Sequence, residues 1–291
     1  MNYEPQEIEE LSQKAQILTE ALPYIKRFSG TTVVIKYGGN AISEGPDSLD
    51  SFVEDVVLLN FVGIRVVVVH GGGPQIDALL TRLGHSSSFV GGLRVTDAET
   101  LESVKMVLLG QVNPLLVSRI NQHGALGVGV SGADGSMVLC QPKSITHGFV
   151  GEVIKVDASL LESLLVQGRI PVVASIGVGV DGQMYNVNAD LVAAELAGAL
   201  NAEKLVFLTN VEGIRSDASD PKSLLRQLRA FELQRLLESK AVQGGMIPKV
   251  EAALAAIGKG VHSVHLLDGR LPHALLLEVF TDQGIGTMLY G

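Results

Sequence analysis

Short apolar runs alternate with longer amphipathic stretches along most of this chain. The runs are rich in β-branched residues, as in buried strands, and the stretches repeat apolar residues three and four apart, as in helices. The predicted strands cover residues 31–36, 65–69, 125–130, 170–176, 204–208 and 261–267. The predicted helices cover residues 48–62, 74–83, 98–109, 113–121, 159–167, 190–200, 233–239 and 249–257. This alternation predicts an α/β fold with a mainly parallel central sheet covered by helices on both faces.

Two regions depart from that alternation. Residues 136–156 are less regular and fit a hairpin. Residues 177–190 concentrate Gly, Asp and Asn, and we place a lobe boundary there. The predicted division is an N-terminal helix over residues 1–28, one lobe over residues 29–180 and a second lobe over residues 181–291.

The first 25 residues predict a helix with a narrow apolar stripe. The stripe consists of Ile8, Leu11, Ala15, Leu18, Leu22 and Ile25. Pro23 should bend or end this helix, because proline cannot donate the backbone hydrogen bond. Such a stripe suits a partner helix or the surface of its own domain, and the sequence leaves both alternatives open.

Composition and charge exclude several classes of protein. The chain has 291 residues, 46% of them hydrophobic, which is enough for a large core. Its 31 acidic and 22 basic residues give a formal net charge of −9, so nucleic acid is not an expected partner. Cys140 is the only cysteine, so neither an internal disulfide nor a Cys/His metal site is expected. The polar start and the lack of an apolar run of about 18 residues predict a soluble protein of the cytoplasm or an organelle, without a signal peptide or membrane span.

Two of the predicted strands run directly into glycine clusters. One strand ends at Gly38 and Gly39, and the other ends at 71–73, three consecutive glycines. Bare backbone N–H groups at the carboxyl edge of a sheet form a cradle, or nest, for anions. A tight turn alone would explain three glycines poorly, because each costs conformational entropy. Lys36 beside the first cluster therefore points to phosphate chemistry, although neither cluster matches the P-loop or the dinucleotide fingerprint.

Two further groups have both a functional and a structural interpretation. Arg94 suits a carboxylate, which guanidinium binds bidentately, but a surface ion pair with Asp97 or Glu99 would also explain it. Asn186 and Asp190 precede a helix, and helix capping by Asp190 is the better explanation until another motif supports function.

A lysine in an unfavourable place gives another signal. Lys249 follows Gly244 and Gly245 at the start of a predicted helix, where the helix dipole disfavours a cation. It is therefore a candidate second cation for the same centre as Lys36. Residues 208–214 leave a strand and either line a nucleotide pocket or form an ordinary loop. No Gly-x-Ser-x-Gly or His-Glu-x-x-His motif suggests covalent catalysis or metal-dependent hydrolysis.

Five of these motifs occur in one order, and together they resemble the N-acetyl-L-glutamate kinases of the amino acid kinase family. They are Lys-Tyr-Gly-Gly-Asn from residue 36, Val-His-Gly-Gly-Gly-Pro from 69, Gly-Leu-Arg-Val-Thr-Asp from 92, Asn-Val-Asn-Ala-Asp from 186 and Gly-Gly-Met-Ile-Pro-Lys from 244. The similarity runs from about residue 30 to the end. It implies an open αβα sandwich in which the lobe over residues 29–180 binds the acylated amino acid and the lobe over residues 181–291 binds ATP.

The resemblance also implies a role for individual residues. Lys36 and Lys249 would stabilise the transition state, and Asp190 would hold both lysines. The residues implied to bind N-acetyl-L-glutamate are Gly72, Gly73, Arg94 and Asn186. Those implied to bind the phosphates and nucleotide are Gly38, Gly39, Asn210, Val211, Gly213 and Ile214, together with the residues just before Gly244.

The implied reaction is ATP-dependent phosphorylation of the γ-carboxylate of N-acetyl-L-glutamate to N-acetyl-L-glutamyl 5-phosphate, in arginine biosynthesis. Mg²⁺ would be held mainly by the nucleotide phosphates and water, so no metal site of the protein is expected. A kinase for aspartate, glutamate, carbamate or UMP is the nearest alternative. A nucleotide- or arginine-binding sensor without turnover is another, and a Rossmann dehydrogenase fits the glycine spacing poorly.

Similarity to arginine-sensitive members implies feedback inhibition by L-arginine. His265, Glu278 and Gly284 would contact the effector, with Tyr24 a weaker candidate, although packing at the domain edge would also explain all four. In such members the N-terminal helix interlaces dimers into a hexamer, a trimer of dimers. Similarity to cyanobacterial and plastid versions implies the signalling protein PII as a partner and the cytoplasm or plastid stroma as location.

Overall fold

The computed structural model describes residues 5–43, 45–217, 220–239, 242, 244–281 and 284–291. The helices are α1 (Pro5–Phe28), α2 (Gly39–Ser43), α3 (Pro46–Phe61), α4 (Gly73–Arg82), α5 (Ala98–Val107), α6 (Asn113–Asn121), α7 (Ser159–Val166), α8 (Ala189–Ala199), α9 (Ala230–Glu238), α10 (Met246–Gly258) and α11 (Ala274–Val279). A π-helical turn (Leu108–Val112) joins α5 to α6, and short 3₁₀ turns cover Asp134–Ser136, Ile145–His147 and Pro221–Ser223.

Strands of three sheets lie between these helices. They are β1 (Thr32–Tyr37), β2 (Arg65–His70), β3 (Phe89–Val90), β4 (Leu93–Arg94), β5 (Gly127–Ser131), β6 (Val138–Pro142), β7 (Gly151–Val156), β8 (Ile170–Ala174), β9 (Ile176–Val178), β10 (Met184–Asn186), β11 (Lys204–Thr209), β12 (Gln227–Arg229), β13 (Ser263–Asp268) and β14 (Thr287–Tyr290). Each predicted strand and helix is present, with ends that differ by a few residues, except that the strand predicted over residues 170–176 is two strands.

The central sheet has the order β12-β14-β13-β11-β1-β2-β8-β5 and is parallel except for the β13–β14 pair. Consecutive residues of its strands face opposite sides: Val34 lies in one buried cluster, and Val33 and Ile35 lie in the other. Helices α7, α8, α9 and α10 cover the first face, and α3, α4, α5, α6 and α11 cover the second. Burial on both faces explains the nearly continuous apolar strands. The predicted αβα sandwich is confirmed.

Two smaller sheets complete the fold. One has the order β10-β9-β6-β7, and its antiparallel β6–β7 pair confirms the hairpin predicted over residues 136–156. The other is the β3–β4 pair. The run predicted as one strand over residues 170–176 is divided at Ser175, so that β8 stays in the central sheet while β9 joins the small one.

Strand β1 lies where the order of the sheet reverses. It pairs with β2 on one side and β11 on the other, and Lys36 is level with Val69 and Phe207. The chain leaves the carboxyl ends of β1 and β2 toward one edge of the sheet, whereas it leaves the carboxyl end of β11 toward β13 and the other edge. In open α/β sheets such a switch point opens the crevice where ligands bind.

The N-terminal helix differs from the prediction at its end. Pro23 does not end α1, which continues to Phe28. The last turn is held because Phe28 is buried and the N–H of Ser29 donates to the Ile25 carbonyl at 2.9 Å. Much of the apolar stripe is open: Leu18 is 73% exposed and Leu22 is 62% exposed. Packing on its own domain thus accounts only for the final turns.

None of the helices in the described ranges combines the length and apolar composition that a bilayer span requires. The predicted boundary between lobes near residue 180 stays a prediction.

Candidate active site

A cleft of about 470 Å³ opens at the carboxyl ends of β1, β2 and β11. Both glycine clusters, Arg94 and the start of α8 line it. Its lining includes Lys36, Gly38, Gly39, Gly72, Gly73, Arg94, Asn186, Asp190, Asn210 and Lys249. Residues that are far apart in the sequence therefore meet in one cavity.

Two lysines converge on one carboxylate inside this cleft. Lys36 Nζ lies 2.8 Å from Asp190 Oδ1, and Lys249 Nζ lies 2.8 Å from Asp190 Oδ2. Strand β1 supplies the first lysine, and the first turn of α10 supplies the second. The arrangement leaves one positive charge beyond neutrality, which is suited to an anion.

Burial and charge act in opposite directions on these groups. Burial alone would raise the pKa of Asp190, but the ammonium groups of Lys36 and Lys249 outweigh it and lower that pKa. Burial also lowers the pKa of Lys36. The positive charge of Lys249 lowers this pKa further, and the carboxylate of Asp190 opposes both effects. Asp190 therefore stays a carboxylate and ties the lysines in place.

Helix capping does not explain Asp190. The N-cap of α8 is Asn188, whose side-chain oxygen accepts from the N–H groups of Asp190 and Leu191 at 2.8 and 3.2 Å. The carboxylate of Asp190 is thereby free of a capping role and faces the two lysines. The capping interpretation of Asp190 was wrong because Asn188, two residues earlier, is the N-cap.

The two glycine clusters contact each other. A Cβ placed on Gly39 would lie 2.9 Å from the Gly73 nitrogen and 2.8 Å from Pro74 Cδ. The side-chain amide of Gln75 donates to the Gly39 carbonyl at 3.1 Å, which ties the clusters together. Glycine is needed at residue 39 because a side chain there would separate the two nests.

Arg94 is a buried clamp. It is 8% exposed, and its Nη1 donates to Asp77 Oδ1 at 2.5 Å and to the Ser87 hydroxyl. Its Nη2 lies 3.3 Å from the Gly73 carbonyl, and the Phe89 ring stacks against it with 4.8 Å to the centroid. Burial alone would raise the pKa of Asp77, but the hydrogen bonds from Arg94 and Ser87 outweigh burial and lower this pKa. The guanidinium is thus aligned and fixed beside the second glycine cluster.

The partners proposed for Arg94 from the sequence were wrong. Asp97 instead caps α5 by accepting from the Thr100 N–H at 2.8 Å. Glu99 lies 3.4 Å from His85. The true partner, Asp77, lies on α4, a helix that starts in the glycine cluster. Only the packing of α4 against the β3–β4 region reveals that pair.

Asn186 is tied to the same clamp. Its amide donates to the Thr96 hydroxyl at 3.1 Å, and that hydroxyl donates to the Arg94 carbonyl at 3.0 Å. Thr96 is fully buried. Asn186 and Arg94 therefore hold fixed positions relative to each other on one wall of the cleft.

Comparison with known proteins decides the family. The chain matches the amino acid kinase family over residues 31–268. It belongs to that family.

Relatives within this amino acid kinase family match over nearly the full length. The acetylglutamate kinase of Pelotomaculum thermopropionicum is 50% identical over 290 residues, which is 95% of this chain and 98% of that protein. The acetylglutamate kinase of a Nostoc species is 50% identical over 279 residues, 96% of this chain and 94% of that protein. The resemblance seen in the ordered motifs is confirmed, and the chain is a kinase.

Solved structures agree on the fold. N-acetylglutamate synthase from Neisseria gonorrhoeae, in complex with coenzyme A and N-acetyl-glutamate, has a TM-score of 0.85 and 29% identity. The match covers 95% of this chain but only 63% of the synthase, so this kinase spans less than two thirds of that longer protein. Carbamate kinase from Giardia lamblia, at 17% identity and a TM-score of 0.69, shares the fold.

The predicted nucleotide residues are divided between two environments. Asn210 lines the cleft, and Val211 is 37% exposed. Ile214 is buried, its N–H donates to Thr287 Oγ1 at 2.9 Å, and its carbonyl accepts from Leu225 at 2.8 Å. Gly213 packs beside it, because a Cβ there would lie 2.4 Å from the same hydroxyl. Of the stretch before Gly244, residues 240, 241 and 243 lie outside the described residues.

A second cavity of about 900 Å³ lies between the end of α1 and strands β11 to β14. All four predicted effector residues line it. His265 Nδ1 lies 2.7 Å from Glu278 Oε1, and Glu278 Oε2 accepts from the Ile285 N–H at 2.9 Å. Gly284 has φ +57°, and a Cβ there would lie 3.0 Å from Glu278. Tyr24 lines the same cavity from α1.

Charge is concentrated in this second cavity. Burial lowers the pKa of His265, while Glu278 opposes that shift. Burial would raise the pKa of Glu278, but the hydrogen bonds from His265 and the Ile285 N–H, together with the Lys204 charge, outweigh it and lower that pKa. Lys204 Nζ lies 3.0 Å from His265 Nε2, which therefore accepts a hydrogen bond and leaves Nδ1 to donate to Glu278. The result is a buried carboxylate that is hydrogen-bonded to His265 and lies in the field of the Lys204 ammonium.

Several residues of both cavities were missed from the sequence. In the cleft they are Asp77, Ser87, Thr96, Ser175 and Asn188, and in the second cavity they include Lys204, Arg226 and Ser263. Thr96 was inside a recognised motif, and Asn188 was inside another. The others lie in ordinary local contexts, where no spacing distinguishes them from surface or core residues.

Proposed function

We propose that this kinase transfers the γ-phosphoryl group of ATP to the γ-carboxylate of N-acetyl-L-glutamate, giving N-acetyl-L-glutamyl 5-phosphate in arginine biosynthesis. The observation that carries the proposal is the Lys36–Asp190–Lys249 cluster at the edge of two glycine nests. Relatives at about half identity are named acetylglutamate kinases, which supports the same substrate here.

Phosphoryl transfer to a carboxylate requires cations in the site rather than a general base. The acceptor carboxylate is already an anion and needs no deprotonation, and the transferred group carries negative charge on its equatorial oxygens. Lys36 and Lys249 would lie against those oxygens, and the amides of the glycine nests would bind the reacting carboxylate and the phosphates. Asp190 would hold both ammonium groups in place, so that little reorganisation accompanies transfer.

Arg94 and Asn186 would select the substrate. N-acetyl-L-glutamate carries an α-carboxylate, which suits the fixed guanidinium, and an amide, which suits the side chain of Asn186. Asp77 already occupies Nη1 of that guanidinium, so the substrate would use its remaining donors. Free glutamate would place an ammonium where the acylated nitrogen belongs.

Mg²⁺ would enter the site bound to the phosphates of ATP. Within the described ranges no group of three His, Cys, Asp or Glu side chains could hold a metal ion. Asp190 is engaged by two lysines and Asp77 by Arg94. The donor set therefore does not fit a metal site of the protein itself, and Mg²⁺ would be held by phosphates and water. Asn210 and Val211 would lie beside the nucleotide; roles for Gly213 and Ile214 stay predictions.

Coupled ADP release tests the substrate. Turnover with ATP and N-acetyl-L-glutamate should exceed turnover with free glutamate, aspartate, carbamate or UMP by a wide margin. Equal rates with free glutamate would contradict the substrate, and binding of ATP without any turnover would favour a sensor.

We further propose that L-arginine inhibits the enzyme through the second cavity. His265, Glu278 and the Gly284 backbone would contact the effector, and Tyr24 would contribute from α1. A buried carboxylate suits a guanidinium. Because α1 forms one wall, an assembly built through α1 would couple to this cavity. A hexamer made as a trimer of dimers, binding of PII and a location in the cytoplasm or plastid stroma stay predictions from the resemblance.

Inhibition is tested by titrating L-arginine into the ADP-release assay. Glu278→Gln should weaken inhibition at least about tenfold, as expected when a charge-assisted hydrogen bond is lost, and leave the uninhibited rate within about twofold. Glu195→Gln weakens an ion pair with Lys259 that lies outside the cavity, and it is the matched control. Unchanged inhibition in Glu278→Gln would contradict this site.

A further inference from the structure

One buried polar pair beside the second glycine cluster has no part in the chemistry proposed above. His70 ends β2 and is 0% exposed, and Asn113 begins α6 and is 7% exposed. His70 Nε2 lies 3.1 Å from Asn113 Nδ2, and His70 Nδ1 lies 3.0 Å from the Gly71 carbonyl oxygen. Burying such groups is costly unless every one has a partner.

The hydrogen bonds of this pair determine where its proton lies. Asn113 Nδ2 also donates to the Val172 carbonyl at 2.8 Å and faces the Val130 carbonyl at 3.4 Å. Carbonyls accept only, so this atom is the amide nitrogen and His70 Nε2 must accept from it. A neutral imidazole then carries its hydrogen on Nδ1, which donates to Gly71.

The ring is held neutral by its surroundings. Burial lowers the pKa of His70 to about 4, although the hydrogen bond to Gly71 opposes that shift. At neutral pH the ring therefore keeps one donor and one acceptor, as the two contacts require.

Two neighbouring glycines make room for the pair. A Cβ on Gly129 would lie 2.1 Å from Asn113 Oδ1. A Cβ on Gly72 would lie 2.8 Å from Leu108 Cδ2 and 3.3 Å from Val112 Cγ2, both in the π-helical turn just before Asn113. The segment formed by the π-helical turn and Asn113 therefore contacts Gly72 directly, and it reaches Gly71 through His70. Single π-helical turns are frequent beside functional sites.

We propose that His70 and Asn113 are positioning residues that orient the amides of the 71–73 nest toward the acylated amino acid. The Gly71 carbonyl and the Gly72 N–H belong to one planar trans peptide, so they point in opposite directions. A hydrogen bond that holds the carbonyl toward the core aims the N–H away from it, into the cleft. The inference rests on the proposed function, because the ligand of this nest is proposed there.

The tautomer is tested first, on the unmodified protein. In chain labelled with ¹⁵N-histidine, long-range ¹⁵N–¹H correlation at neutral pH should show the His70 ring, like the His265 ring, protonated at Nδ1 and bare at Nε2. His70→Asn, which loses one of seven histidine signals, assigns it. A ring protonated at Nε2, or exchanging between both nitrogens, would overturn the proposal whatever the substrate proves to be.

Kinetics of two His70 variants test the positioning. Asn can place an amide N–H near the position of Nδ1, so His70→Asn should keep kcat/KM for N-acetyl-L-glutamate within about threefold of wild type. His70→Leu leaves the Gly71 carbonyl without its donor and should lower that value about ten- to a hundredfold, the usual effect of a small displacement of a binding group. The KM for ATP should not change.

The matched control separates positioning from stability. Val68→Ala alters a buried residue two positions earlier on the same face of β2. It should lower the melting temperature and leave both KM values unchanged. If His70→Leu behaves like Val68→Ala, lowering only the folded fraction, the positioning role is overturned.

Gly129→Ala reaches the pair from the opposite side. Its new methyl group would displace Asn113 without touching the nest, so the tautomer signal should change and the KM for N-acetyl-L-glutamate should rise. An unchanged spectrum and KM would contradict the inference. If wild type does not turn over N-acetyl-L-glutamate, the proposed function fails, while the tautomer measurement still decides the hydrogen-bond arrangement.

Discussion

At the scale of single residues, two ammonium groups share one carboxylate. The charges of Lys36, Lys249 and Asp190 sum to one positive charge inside a buried cleft. Such a centre suits the phosphoryl group of the proposed reaction, because fixed charges need little reorganisation during transfer.

Lys36→Ala should lower kcat by on the order of 10²–10³, the usual cost of one transition-state donor. The KM values should change little. The measurement is steady-state ADP release. Lys259→Ala removes an ammonium that pairs with Glu195 at the surface and should leave kcat unchanged. An unchanged kcat in Lys36→Ala would mean that the lysine takes no part in transfer.

Arg94→Ala should act on binding. Loss of the guanidinium should raise the KM for N-acetyl-L-glutamate with a smaller effect on kcat, because the proposed contact with the α-carboxylate would be the same before and during transfer. Arg119→Ala breaks an ion pair with Asp50 outside the cleft and is the control. An effect confined to kcat would contradict a substrate clamp.

His70 should make folding sensitive to acid. Its pKa is lowered from 6.5 to about 4 in the folded protein, so the unfolded chain binds the proton more readily. The stabilisation is complete above about pH 6.5 and is lost as pH falls toward about 4, amounting to about 2 kcal/mol between pH 7 and pH 5. In His70→Asn no side chain titrates at this position. Its free energy of unfolding, measured with denaturant, should therefore fall between pH 7 and pH 5 by about 2 kcal/mol less than that of wild type. Identical losses would contradict it.

At the scale of elements, two consecutive glycines at the start of α4 differ in function: Gly72 is the N-cap of the helix and Gly73 is its first residue. Gly72 lacks a Cβ because the π-helical turn approaches, whereas a Cβ on Gly73 would meet nothing within 4 Å. One glycine serves packing, and the other leaves space in the cleft.

The two corresponding alanine variants should therefore differ. Gly72→Ala should destabilise the fold by about 1–3 kcal/mol, as overpacking does. Gly73→Ala should leave the melting temperature near wild type but raise the KM for N-acetyl-L-glutamate, because its methyl group projects into the cleft. Gly110→Ala, in the same π-helical turn with open space around it, is the control for both. Equal destabilisation by Gly72→Ala and Gly73→Ala would refute this division.

At the scale of the whole molecule, α1 is the helix whose apolar side chains remain exposed in the single chain. Ile17 and Leu18 are 66% and 73% exposed, although a monomer gains nothing by exposing such residues in a row. The helix contacts the body at its final turn, which also forms a wall of the second cavity.

The predicted assembly through α1 is tested with Leu18→Glu, which should have a lower molar mass in solution than wild type by light scattering after size-exclusion chromatography. A charge buried in an interface without a partner costs more than the contact contributes. Gln13→Glu adds the same charge at an exposed polar position of α1 and should leave the mass unchanged. Activity in Leu18→Glu should persist, because α1 lies outside the cleft. Equal masses for both variants would contradict assembly through this face.

Much of the fold follows from local pattern. Strands such as β1 and β11 are apolar on both faces because helices cover both, so a continuous run predicts each of them without tertiary information. The division of residues 170–178 into β8 and β9 was not predictable, because both strands are equally apolar and only their partners differ.

The sequence by itself determined the alternation of elements, the two glycine nests and the lysines at the edges of their elements, because each of these depends on neighbours within a few residues. Only the tertiary structure decided that Asp190 pairs with both lysines, that Asp77 rather than Asp97 aligns Arg94, and that Asn113 holds the His70 ring that binds the Gly71 carbonyl. The physical reason is range. Propensity and periodicity act along the chain, whereas charge pairing and hydrogen bonding act across space, where the packing of the sheet brings distant residues within 3 Å.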